Sequence, residues 1–156
     1  MPKLVSDDIF KVAESCDLCI IFGHIGFNEM NLKWKEFCKR HPKLSCHNPF
    51  ENFQNQYIEW SKGRWIVFIP EEKNHGMQTS ILEKALKNAF IWAHQKNLNK
   101  IATNGIANTD HGRNKLNNRL SDNERAAWLY EYACLHECSY NFEITLASLN
   151  DVFIRG

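Results

Sequence analysis

Long hydrophobic runs are missing from this sequence of 156 residues. Nothing in it stays apolar for about 18 residues, so no membrane-crossing helix and no membrane partner are expected. Charge of a single sign is missing too: 19 basic side chains face 18 acidic ones, for a formal net charge of +1. A binder of long nucleic acid normally carries a basic excess, so that partner is set aside. A small nucleotide is not, because backbone N–H groups can hold its few phosphates. Glycine and proline are scarce, at 7 and 4 residues, which excludes collagen-like and low-complexity chains. The opening MPKLVSDDIF has two acids by residue 8 and no apolar core, so a secretory signal is not expected. The six cysteines then read as reduced thiols in a cytoplasm. What is present is a hydrophobic fraction of 44%, enough for a real core. With no repeat, Ser/Gly linker or charge block, one domain over residues 1–156 is expected. Asparagine and lysine are abundant, and both read as a compositional habit without mechanism.

The order of local patterns gives the organisation. Ser6-Asp7-Asp8 offers an N-cap for a short helix to about Glu14. Leu18-Cys19-Ile20-Ile21-Phe22, stopped by Gly23, lacks alternation and suits a central strand covered on both faces. Asn31 to Arg40 shows helical spacing with Leu32, Trp34 and Phe37 inward, and Pro42 ends it. Phe50 to Trp60 reads as helical, closed by Lys62-Gly63, and Arg64 to Ile69 is the clearest strand. A polar loop, Glu71 to Gly76, leads to a capping box at Ser80-Ile81-Leu82-Glu83 and a long helix to about Lys96. That helix carries the stripe Ile81, Leu82, Ala85, Ala89, Phe90 and Trp92-Ala93. Lys100 to Thr103 is a short strand before Asn104-Gly105. After a polar stretch, Asn108 to Asn118, a second capping box at Ser121-Asp122-Asn123-Glu124 opens a helix through Leu129, Tyr130 and Ala133. Phe142 to Leu146 alternates as a strand. Strands alternating with helices predict an α/β fold: three layers, with a largely parallel mixed sheet flanked by helices.

In such sheets ligands sit beyond the carboxyl ends of the strands, which selects two loops, Gly23 to Met30 and Asn104 to Asn114. Gly23 and Gly26 either let a ligand approach the backbone closely or merely turn the chain into the next helix. The second loop combines Gly105 and Gly112 with Asp110, His111 and Arg113, residue types that perform acid–base work or hold phosphate. A solvated connector would look similar, but long unstructured loops are more often binding loops. Phe27, in the first loop, is the aromatic retained for stacking on a base, whereas Trp65 and Trp128 fit the core. Cys16-x-x-Cys19, Cys38-x-x-His41, Cys46-His47 and Cys134-x-His136-x-Cys138 could supply zinc ligands. Their wide separation and their places in apolar or helical segments favour core thiols instead, so no metal and no cofactor are expected. There is no GxSxG elbow, Walker A sequence or GxGxxG fingerprint.

With these segments placed, the chain from about Lys3 to Asp151 resembles a diverged macro domain, the ADP-ribose-binding α/β family. Ser6-Asp7-Asp8-Ile9 followed by Cys16 to Ile21 is similar to the family's "G-D-I … D-A-I-V" opening. Phe27-Asn28-Glu29-Met30 and the helix ending in His41-Pro42 are similar to "N-x-M-G-x-G-I-A … F-P" of the branch that processes ADP-ribose phosphate. Ile66 to Pro70 resembles the strand ending in "N-x-P", and Lys100 to Ile106 resembles "k-s-I-A-x-P-x-I/L-G". The resemblance implies binding of ADP-ribose or a related nucleotide, with hydrolysis of an ADP-ribose derivative as the accompanying chemistry. It places Gly23, His24, Gly26 and Phe27 in the first ligand loop, and Asn104, Gly105, Ile106, Gly112 and Arg113 in the second. Asn28 would place a ribose or attacking water, and Asp110 or His111 would act as acid and base. The chain departs from the family where Asn31-Leu32-Lys33-Trp34 replaces a glycine-rich run, and where six residues separate Gly105 from Gly112. Residues Arg113 to Leu120 also lengthen the second loop. These departures, with bulky Trp34 near the expected phosphate site, support an alternative: an inactive macro-like protein that acts by binding another protein.

Overall fold

The computed structural model describes residues 1–23, 28–42, 44, 56–70, 79–104 and 122–147. Six strands form one sheet: β1 (Lys3–Val5), β2 (Leu18–Gly23), β3 (Gln56–Ser61), β4 (Arg64–Pro70), β5 (Lys100–Asn104) and β6 (Glu143–Ala147). Their order is β1-β6-β5-β2-β4-β3, parallel throughout except for the antiparallel β3–β4 pair at one edge. The helices among the described residues are α1 (Ile9–Ala13), α2 (Asn28–Arg40), α3 (Thr79–Gln95) and α4 (Asp122–Tyr140). The expected three-layer α/β architecture is what the chain adopts.

Strand alternation explains why β2 and β4 read as unbroken apolar runs. Leu18, Ile20 and Phe22 of β2, with Val67 and Ile69 of β4, face a cluster completed by Leu86, Ala89, Phe90 and Ala93 of α3 and Leu129, Tyr132 and Ala133 of α4. Cys19 and Ile21, with Ile66 and Phe68, face the opposite cluster, built from Ile9, Phe10 and Ala13 of α1 and Trp34, Phe37 and Cys38 of α2. Each helix repeats its buried residues at three- and four-residue intervals, the spacing of one helical face. Full burial of a Leu, Ile or Phe contributes about 1.5–3 kcal/mol, so this two-sided core dominates the stability.

Helix ends follow the sequence in detail. Asp8 is the N-cap of α1, its Oδ1 accepting from the Phe10 N–H at 3.0 Å. At the end of α3, Asn97 takes φ 59°, while the Leu98 N–H donates to the Ala93 carbonyl at 2.9 Å and the Asn97 N–H donates to the His94 carbonyl at 3.1 Å. That is the Schellman arrangement, with asparagine in the left-handed position that glycine usually fills. Asn141, directly after α4, also takes a left-handed φ, 58°. Part of the asparagine content therefore has a mechanism after all: it ends helices in a chain poor in glycine.

One segment overturns its reading. Residues 56–60, expected to close a helix, form strand β3, which turns through Lys62-Gly63 into β4. Gly63 sits at φ 74°, so the two-residue turn needs glycine there. Tyr57 packs with the α3–α4 side and Ile58 and Trp60 with the α1–α2 side. This is the period of two that defines a strand. Residues 50–55 lie outside the described set. Strand β1, which pairs with β6, was absent from the sequence reading.

Candidate functional site

The helices define the site by the side of the sheet on which they lie. Chain leaving β2 enters α2, on the α1–α2 face, whereas chain leaving its two neighbours β4 and β5 enters α3 and α4 on the other face. Connections diverging from adjacent parallel strands leave a crevice at the carboxyl edge, here in front of β2. The helices that follow β2, β4 and β5 start at that edge, as α1 does after β1. Their first-turn N–H groups lack partners within the helix and carry the positive end of the helix dipole, an arrangement suited to phosphate oxygens.

The two loops chosen from sequence begin at this edge of the sheet. Gly23 is the last residue of β2, in register with Pro70 of β4, and Asn28 is the first residue of α2. Asn104 is the last residue of β5, in register with Ala147 of β6. His24, Gly26 and Phe27 in the first loop, and Gly105, Ile106, Asp110, His111, Gly112 and Arg113 in the second, lie outside the described residues. The strand-end rule selects a third connection that the sequence reading passed over. It is the connection, residues 71–78, from the carboxyl end of β4, the strand paired with β2, to α3. Its signal was present in the polar Glu71 to Gly76 stretch after the clearest strand in the chain.

Asn104 is the one candidate whose side-chain bonds are on view. Its Oδ1 accepts from the Phe22 N–H at 2.7 Å, and its Nδ2 donates to the Phe22 carbonyl at 3.0 Å. The amide is thus spent on the backbone of β2. Thr103, beside it, is fully buried. Trp34 belongs to the hydrophobic core. It is 2% exposed and packs against Phe10, Phe37 and Phe68 in the α1–α2 core. A large ring at that position is a core choice, and it does not argue against a ligand.

The opposite, amino-terminal edge is built for structure. Glu14, after α1, accepts at Oε1 from Arg40 Nε at 3.1 Å and pairs with His41 Nε2 at 3.0 Å. The bond from His41, opposed in part by burial and reinforced by Arg40, holds the Glu14 carboxyl below its usual range. Arg64 donates to the Glu14 carbonyl and lies over the Trp60 ring. Cys16 and Cys19 are no more reactive. Burial pushes the Cys16 thiol up and the Cys19 thiol well up, which withholds the thiolate that a nucleophile or metal ligand requires. Among the described residues no three His, Cys, Asp or Glu side chains gather as metal ligands, and no helix is long and apolar enough to cross a membrane.

A three-layer domain with its crevice in front of a central strand is a fold that solved structures share. The chain is similar to the macrodomain of Mycobacterium tuberculosis DarG, with 10% identity over 95% of this chain and 97% of that one, and a TM-score of 0.63. It is similar to the Trypanosoma brucei macrodomain in complex with ADP, with 9% identity over 97% and 65% of the two chains and a TM-score of 0.64. It is also similar to a variant of the Oceanobacillus iheyensis macrodomain with ADPR, with 13% identity over 97% and 89% and a TM-score of 0.60. No protein-family model matches the chain, and no curated protein does. The chain has the macrodomain fold.

Proposed function

We propose that this chain binds ADP-ribose or a close nucleotide relative in the crevice before β2. The observation that carries this reading is the opposite departure of the helices after β2 and after its two neighbours, which leaves the carboxyl end of β2 open. Support comes from neighbours of the same fold whose structures hold ADP or ADPR. In this reading Gly23, His24, Gly26 and Phe27 form one wall. Gly105, Ile106, Gly112 and Arg113 form the other, and the diphosphate meets helix N-termini instead of a lysine cluster. Hydrolysis of an ADP-ribose derivative is the associated activity, with Asn28 orienting a water and Asp110 or His111 moving the proton.

Calorimetric titration with ADP-ribose and its phosphorylated relatives tests binding. Saturable heat at micromolar to millimolar ligand is expected, and its absence at millimolar concentration refutes the reading. Asp110→Ala with His111→Ala tests the chemistry: turnover should disappear while affinity stays within a few fold. With Trp34 in the core, the inactive protein-binding alternative rests only on the loop glycines, and no other observation favours it.

A further inference from the structure

The backbone ladder between β2 and β5 stops early. Leu18, Cys19 and Ile20 are in register with Ile101, Ala102 and Thr103, and there the strand-to-strand pairing ends. β2 nevertheless continues to Gly23 beside β4, while β5 continues to Asn104 beside β6. The sheet therefore parts between its two central strands just before both enter the loops assigned to the ligand. Across that parting lies one side chain. The Asn104 amide offers a carbonyl to the Phe22 N–H and an NH₂ to the Phe22 carbonyl, at 2.7 and 3.0 Å. A primary amide reproduces the donor and acceptor of a peptide group, so it adds a rung that the diverging backbones no longer make. The rung ties the residue before Gly23 to the residue before Gly105, the roots of both loops.

We propose that Asn104 is a positioning residue that sets the separation of the two ligand loops, a role that rests on the ADP-ribose reading. Among neutral side chains of its length it alone satisfies both Phe22 groups at once. Asp presents a second acceptor to the carbonyl, Ser is too short to span both groups, and Ala leaves both without this partner. Ligand-contacting walls lose affinity steeply when displaced by about an ångström, so the loss should appear in binding before it appears in folding.

The test compares two variants that each remove hydrogen bonds to two backbone groups, at opposite edges of the sheet. Asn104→Ala acts at the crevice. Asp17→Ala acts at the amino edge, where Asp17 Oδ2 accepts from the Asn99 and Lys100 N–H groups at 3.2 and 3.1 Å. Asn104→Ala should speed amide exchange at Phe22 and weaken ADP-ribose binding about tenfold or more. Asp17→Ala should lose comparable thermal stability and keep wild-type affinity. If Asn104→Ala does not fold, Asn104→Ser carries the same comparison. Unchanged affinity in the Asn104 variant, or an equal loss in Asp17→Ala, overturns the positioning role while leaving ADP-ribose binding intact. A wild-type protein that ignores ADP-ribose overturns the functional reading and this proposal together.

Discussion

Removing the Phe37 ring and the Trp60 ring, separately and together, measures whether β3 lies in the register described above. Phe37 is fully buried in α2, and its ring centroid lies 5.2 Å from Trp60, edge to face, with Phe10 at 5.5 Å and His41 at 4.6 Å. Phe37→Ala should therefore cost about 3–5 kcal/mol, the usual range for emptying a buried aromatic site. Trp60 is half-buried on an edge strand, so Trp60→Ala should cost less, about 2 kcal/mol. Because the two rings touch, the double variant should lose less than the sum of the singles by about 0.5–1.5 kcal/mol. Urea unfolding followed by far-ultraviolet circular dichroism reads this without relying on the tryptophan that is removed. Tyr57 supplies the control: it lies on the other face of β3, stacked on Trp92 at 4.2 Å, so Phe37→Ala and Tyr57→Ala should add. A slip of one residue along β3 would exchange the two faces. Additivity of Phe37 with Trp60 within about 0.3 kcal/mol, or coupling of Phe37 with Tyr57, would refute the strand and its register.

Two further perturbations address the ends of the elements. The Glu14 carboxyl is held below its ordinary value of 4.5 in the fold, so it binds its proton less readily folded than unfolded. Its contribution is therefore present above 4.5 and is lost as pH falls from there through the lower folded value. Glu14→Gln should lower stability at neutral pH, converge with the wild type in acid, and so flatten the acid limb of a stability-versus-pH curve in that window; an unchanged acid limb would show the pair is not formed. At Asn97 the positive φ makes Asn97→Gly close to neutral in thermal melts, whereas Asn97→Val should cost about 1–2 kcal/mol, and equal melting of the two would refute the left-handed cap.

The layers were legible because burial on both faces leaves a mark that needs no neighbours to read. Leu18 to Phe22 and Arg64 to Ile69 could only be central strands, and the two capping boxes placed α3 and α4. β3 was misread because an edge strand with Glu59 facing outward and large rings on both sides offers spacing that a helix could also use. The turn after it carried the better evidence: Lys62-Gly63 between two apolar stretches is a hairpin signal stronger than the stretch it closes. β1, three residues long, is too short for any period to show. Its pairing with β6 is a fact of tertiary structure alone.

The strand ends were legible but not the part a polar residue plays at one of them, and Asn104 shows why. In sequence it stands among polar residues at a strand end, indistinguishable from a residue that faces the ligand. Its actual partner, Phe22, lies 82 residues away and offers only backbone, which no side-chain pattern reveals. Trp34 shows the converse, since it is close to the first loop in sequence while its ring is buried in the α1–α2 core. A helix rotates each successive residue by about 100°, so a position six residues after Asn28 can face the core while the helix start faces the crevice. Both cases share one cause. A strand or helix announces which face is buried, whereas a crevice between diverging strands exists only once the sheet order is known. β2 became the centre of the site through its neighbours: the helices after β4 and β5 lie on the face opposite the helix after β2. The strand-end rule also selects the connection after β4, residues 71–78, whose polar stretch Glu71 to Gly76 was its only mark in the sequence. A substitution scan there should alter ligand affinity as often as one over residues 105–114, and a silent scan beside a sensitive second loop would confine the site to the β2–β5 side of the crevice.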